Sequence, residues 1–132
     1  MACANAKPKF SAVLKSASND SLYTLVVAQH DSVMPKTSLM NALQRQLKAL
    51  LTTTDVPKKD SVLAALLGLK KGEDAMMQWM NEFKNIDIDT EHYTAIGELQ
   101  IKDYLLNEQK KILNVTDLML NSIKQAEQTL KQ

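Results

Sequence analysis

Gly72-Glu73-Asp74-Ala75-Met76-Met77-Gln78-Trp79-Met80-Asn81-Glu82-Phe83 decides how this chain must fold. The stretch holds the only Trp, three of the seven Met and one of the two Phe. At about 100° per residue, Met76, Met80 and Phe83 share one helical face, with Met77 on one shoulder and Trp79 on the other. Such a segment is a thick, soft ridge around which other helices must pack. His30-Asp31-Ser32-Val33-Met34-Pro35-Lys36 is the stretch expected to lie against it.

Working outward, the ridge belongs to a helix predicted over 56–84, with Val62, Leu66, Leu69, Met76, Met80 and Phe83 as its stripe. Pro57 suits its first turn, where a missing amide donor costs nothing. Gly68 and Gly72 weaken the helix by up to about 1 kcal/mol each relative to Ala, and a glycine so placed permits close approach of a neighbour. Upstream, a helix over 20–52 is capped near Asn19-Asp20-Ser21 and carries Leu22, Val26, Val33, Met40, Leu47 and Leu51 on one face. Pro35 should kink it rather than stop it, because the stripe resumes on nearly the same face. Asn85 to Thr90 loses the helical period and reads as a loop. A third helix, over 93–131, aligns Ile101, Leu105, Ile112, Val115, Met119, Ile123, Ala126 and Leu130, with Gly97 blurring its start.

The expected fold is therefore all-α: an antiparallel three-helix bundle over residues 19–132 behind a flexible N-terminal segment, residues 1–18. Its expected core is Val33, Met40, Leu47, Leu66, Leu69, Met76, Met80, Leu105, Ile112 and Met119. Composition agrees. The chain has 132 residues, 45% hydrophobic and 23% charged, with only three Gly and three Pro. One domain of this length buries a real core. The net charge of +1, without a basic block or acidic tail, recommends no nucleic-acid partner. No apolar run of about 18 residues encodes a membrane span.

Catalytic signatures are missing. There is no glycine-rich phosphate loop, Gly-x-Ser-x-Gly elbow, His-Glu-x-x-His or paired-cysteine motif. Two His and one Cys leave most acid–base and nucleophilic schemes without parts, so a non-enzymatic role is expected. Folding the first two helices into a hairpin about residues 54–56 sets His30 opposite positions 78–82 and Met34 opposite 74–78. His30, Met34, Met76, Met80 and His92 then gather at one end. Imidazole plus thioether is a soft donor set suited to Cu(I) or haem iron. Met is equally suited to filling irregular space around a Trp, and a shoulder His to a structural hydrogen bond. Lys36 and Glu73 fall on apolar faces within a turn of each other, which predicts a buried ion pair.

Met-Ala-Cys3 is compatible with the end of a lipobox, though the charged and apolar regions that precede one are missing. As a mature or truncated form, Cys3 followed by a loose spacer to residue 18 would be a lipid tether. The alternative is an ordinary N-terminus with an incidental cysteine.

The His30-to-Lys36 segment, then Asp74-Ala75-Met76-Met77-Gln78-Trp79-Met80-Asn81-Glu82-Phe83-Lys84, then Tyr104-Leu105 through Lys110-Lys111-Ile112 and Ser122-Ile123 to Ala126-Glu127, resemble a family of small bacterial lipoproteins. That family is usually catalogued as "viral A-type inclusion protein", a label reflecting coiled-coil similarity. The likeness spans roughly residues 20–131 in order. It implies a helical domain anchored by lipid in the cell envelope and favours lipidation of Cys3. It implies no function. Asn81 departs from the pattern, since relatives carry His there, which puts a full ligand set in doubt. The expectation is a binding or scaffold module for an envelope protein or other ligand, with no cofactor. The alternative is copper or haem at the His/Met end.

Overall fold

The computed structural model describes residues 11–132, and among them every regular element is a helix. α1 is Ser11–Leu14, α2 Ala17–Val33, α3 Lys36–Leu50, α4 Val56–Glu82, α5 Thr90–Thr94 and α6 Glu98–Lys131. The expected first helix, 20–52, is thus two. Met34 and Pro35 between them keep right-handed helical dihedrals. The Met34 amide still donates to His30 O, while Thr37 donates through both its amide and hydroxyl to Met34 O. Pro35 has no amide to give to the preceding turn, so the helix is interrupted there, while α2 and α3 keep the same general course.

α4 packs along α6, α2 along α6, and α3 touches both α4 and α6. Directions follow from the contacts. On α4, Gly68 faces Ser122 and Gln125, Gly72 faces Met119, and Phe83 faces Tyr104, so α4 and α6 run oppositely. Tyr23 meets Phe83, His30 meets Trp79, and Met40 meets Gly72, so α2 and α3 also run against α4. The hairpin register read from the sequence holds.

Gly72 explains how α4 and α6 approach so closely. A Cβ built there would lie 3.3 Å from the Met119 Cα and 3.2 Å from the Met40 methyl. Gly68 is less crowded, with the Gln125 side-chain oxygen 3.4 Å away. One contiguous core results, and Val33, Met40, Leu47, Leu69, Met76, Leu105, Ile112 and Met119 are buried in it as expected. Leu66 is only partly buried. Met80 is a correction: it is 41% exposed, and Trp79 takes the inward seat. Both lie within reach of the α4 stripe, and the larger ring removes more apolar surface from water.

The N-terminal boundary is also corrected. Cys3 and the rest of residues 1–10 lie outside the described residues, but 11–18 belong to the fold. Leu14 is fully buried. Lys15 adopts φ 71°, and its ammonium donates to the carbonyls of Thr94 and Ile96 at the end of α5. Ser16, not Asn19 to Ser21, caps α2, its hydroxyl accepting from the Asn19 amide at 3.0 Å. Asn19 is fully buried, and its side-chain amide ties Leu14 O (2.8 Å) to Glu98 O (3.0 Å). A tether cannot therefore extend to residue 18.

The third helix begins later than expected. Gly97, with φ −85° and ψ 171°, separates α5 from α6, and its amide donates to Gln100 Oε1 at 2.8 Å. No helix among the described residues is long and apolar enough to cross a membrane.

Candidate functional site

Trp79 and Phe83 are four residues apart on α4, so their rings stack at 4.8 Å and 19°. His30 of α2 lies on the far side of Trp79 at 5.5 Å and 26°. Seven residues earlier, on the same face of α2, Tyr23 meets Phe83 at 5.5 Å. α6 contributes Tyr104, 6.4 Å from Phe83. α5 contributes Tyr93 and His92, at 5.9 Å and 4.8 Å from Tyr104. Every aromatic ring of the described residues thus joins one row, with a histidine at each end.

The three tyrosines do more than fill space. The Tyr104 hydroxyl accepts from the Lys84 amide (2.8 Å), and the Tyr23 hydroxyl accepts from the Ile86 amide (2.9 Å). Tyr93 donates to Lys84 O at 2.5 Å. Together they hold the turn that follows α4. The Asn85 carboxamide oxygen shapes the next residues by accepting from the amides of Asp87 and Ile88. Burial pushes all three phenols above their ordinary range, Tyr104 to about 12. For Tyr23 and Tyr104, acceptance of a backbone amide opposes that rise, while nearby carboxylates add to it.

The five expected soft-donor residues do not all meet at one point, because Trp79, Phe83 and Tyr104 stand between His30 and His92. His30 Nδ1 is 3.0 Å from Asp31 Oδ1, and the ring face is occupied by Trp79. Met76 is buried and Met34 partly so, both as core packing. Met80 points to solvent, and His92 stands at the other end of the row, beyond Phe83 and Tyr104. His92 therefore leaves the expected end-cluster, and the two histidines stand apart. No three His, Cys, Asp or Glu side chains converge as a metal set among the described residues. A shallow depression of about 480 Å³ beside His92 is lined by Lys84, Ile88, Asp89, Thr90, Glu91 and His92. It is open, and Asp89 within it already accepts from the Asn85 amide at 3.1 Å.

The Lys36–Glu73 pair is corrected too. Among the described residues, Lys70 pairs with Asp74, Lys111 with Glu108, and His30 Nδ1 hydrogen-bonds Asp31, and Lys36 and Glu73 do not pair with each other. Lys36 is exposed and Glu73 half-buried, so neither charge loses its water and nothing demands a partner. The buried carboxylates among the described residues are Asp20 and Glu108, and Lys111 reaches Glu108 at 3.1 Å.

A second surface went unread in the sequence. On α6, Leu99, Leu106, Leu113 and Leu120 recur every seven residues, and all four are exposed, from 38% to 74%. Asp103, Lys110, Asp117 and Lys124 recur at the same interval and are also exposed. The signal was available as a strict heptad, but the inward stripe on Leu105, Ile112, Met119 and Ala126 has the same period. Leu63, Leu67 and Met77 add exposed apolar side chains along α4.

No protein-family model, no characterised protein and no solved structure matches this chain.

Proposed function

We propose that this chain is a non-enzymatic binding or scaffold module, an antiparallel three-helix bundle in which α2 and α3 form one bent arm. The observation that carries the reading is the exposed leucine column on α6. Four large apolar side chains in register along roughly 30 Å of one helix exceed the scattered single residues that any surface displays. Behind it, the aromatic row and its tyrosine-held turn supply a rigid end, which suits display rather than turnover. The residues available for chemistry point the same way, because the two histidines are apart and each packs against rings.

The cell envelope is the proposed location, with the chain held by lipid on Cys3. Support comes from the segments around His30 and Trp79 that resemble small lipoproteins, and from the cysteine itself. The segment available as a tether then ends before Ser11. Intact protein purified from its native membrane tests all of this. A mass above that of the polypeptide reports the lipid. Companions lost on Leu106→Gln with Leu113→Gln, at unchanged helicity, report the binding surface. Companions that persist unchanged in the variant refute it. Copper or haem at His30 and Met34 is the competing proposal. Competition for Cu(I) against a chromogenic chelator should be equal for wild type, His30→Ala and Met34→Leu. A selective loss in either variant would revive the metal.

A further inference from the structure

We infer that the outward face of α6 is a self-association surface, on which a second copy of this chain docks antiparallel with its two-fold axis at Leu113. This rests on the binding-module reading and names its partner.

Charge decides the partner and the orientation. Beside the leucine column runs a charged column that alternates in sign: Asp103, Lys110, Asp117, Lys124. All four are exposed, and none belongs to an ion pair of the described residues. Across a parallel two-fold axis the charged columns of the two copies fall on opposite sides of the contact and do not meet. An antiparallel partner brings the columns together, but centred between Leu106 and Leu113 it would set Asp103 on Asp117 and Lys110 on Lys110. Centring on Leu113 instead sets Leu106 against the other Leu120. It also brings Asp103 beside Lys124 and Lys110 beside Asp117, so symmetry yields four opposite-charge contacts. Centring on Leu106 also matches signs but engages only Asp103 with Lys110, twice. A parallel stagger by one heptad keeps the columns on opposite sides, leaves unpaired ends and does not close.

The borders fit a helix-wide contact. Exposed Asn107, Asn114 and Asn121 form a polar edge on one side. On the other, Gln109, Thr116 and Ile123 sink toward the protein's own core. From Asp103 to Lys124 the contact runs roughly 32 Å at 1.5 Å per residue. One helix pair of that length is at the low end of stable interface size, so the dimer should be weak and sensitive to salt.

Sedimentation equilibrium of the full-length chain in a Cys3→Ser background tests it. One variant carries Asp103→Lys and Asp117→Lys, giving four lysines in the column. The other carries Lys110→Asp and Lys124→Asp, giving four aspartates. Each change is on an exposed position, and circular dichroism checks the fold. Wild type should dimerise at low salt. Each variant alone should lose self-association by about tenfold or more, as like charges now face each other. Their equimolar mixture should form a heterodimer, and Leu113→Gln in both arms should abolish it. A monomeric wild type, variants that self-associate like wild type, or a mixture indifferent to Leu113→Gln would overturn the inference. Companions lost from the native membrane by the leucine variant, with the pure chain monomeric, would leave the binding reading intact and remove the second copy as partner.

Discussion

Replacing Gly72 by Ala should destabilise the protein, whereas the same change at Gly68, one turn earlier, should stabilise it. Both sit inside α4, where Ala is preferred to Gly by about 1 kcal/mol. At Gly68 the new methyl meets the Gln125 side-chain oxygen at 3.4 Å and Ser122 Cβ at 3.7 Å. Both are ordinary contact distances, and the nearer one is the end of an adjustable side chain, so most of the propensity gain should survive, about 0.5–1 kcal/mol. At Gly72 the methyl meets the Met119 Cα at 3.3 Å and its Cγ at 3.4 Å. The Met40 methyl, at 3.2 Å, can swing aside, but the α6 backbone cannot. Met119 is fully buried on a helix that also packs against α2 and α3, so moving it disturbs the whole core. Overpacking of this kind costs about 1–3 kcal/mol, which exceeds the propensity gain and leaves a net loss of about 1 kcal/mol. For a chain of this length that lowers Tm by roughly 4 °C, while Gly68→Ala raises it by roughly 2–4 °C. Urea titrations followed by circular dichroism give both values. Equal stabilisation by the two variants would show that α4 and α6 are not in backbone contact at Met119.

Stability should fall as pH rises above about 10, because unfolded tyrosines ionise there while Tyr104 in the fold holds its proton to about 12. The phenols contribute fully below that range. Solvent screening leaves about 1–2 kcal/mol for Tyr104, and Tyr104→Phe should flatten the alkaline limb of the urea midpoint against pH. An unchanged limb would exclude it. Lys111→Met should cost about 1–3 kcal/mol by leaving the buried Glu108 carboxylate alone, while Lys70→Met, from an exposed pair with Asp74, should stay within about 0.5 kcal/mol. Equal losses in thermal melts would refute the distinction. Lys36→Met and Glu73→Gln should each leave the urea midpoint unchanged within about 0.5 kcal/mol, and a loss above that from either would restore the ion pair.

Helical periodicity made the all-α fold, most of the core and the facing of His30 against Trp79 legible from the amino acids alone. The reason is local: a stripe repeats every turn, and the short connection after α3 sets the hairpin register. Asn19 was not legible in this way. Its burial depends on the carbonyls of Leu14 and Glu98 arriving on either side, and one of those comes from a distant helix. The inward seat of Trp79 was hidden for a related reason. Trp79 and Met80 are neighbouring candidates for one inward seat, and only the rings supplied by α2 and α6 decide between them. The same holds for α6, whose two leucine-bearing columns share a seven-residue period. A helix by itself has no inside, and it was the arrival of α2, α3 and α4 that buried Leu105 and Ile112 and left Leu106 and Leu113 facing out.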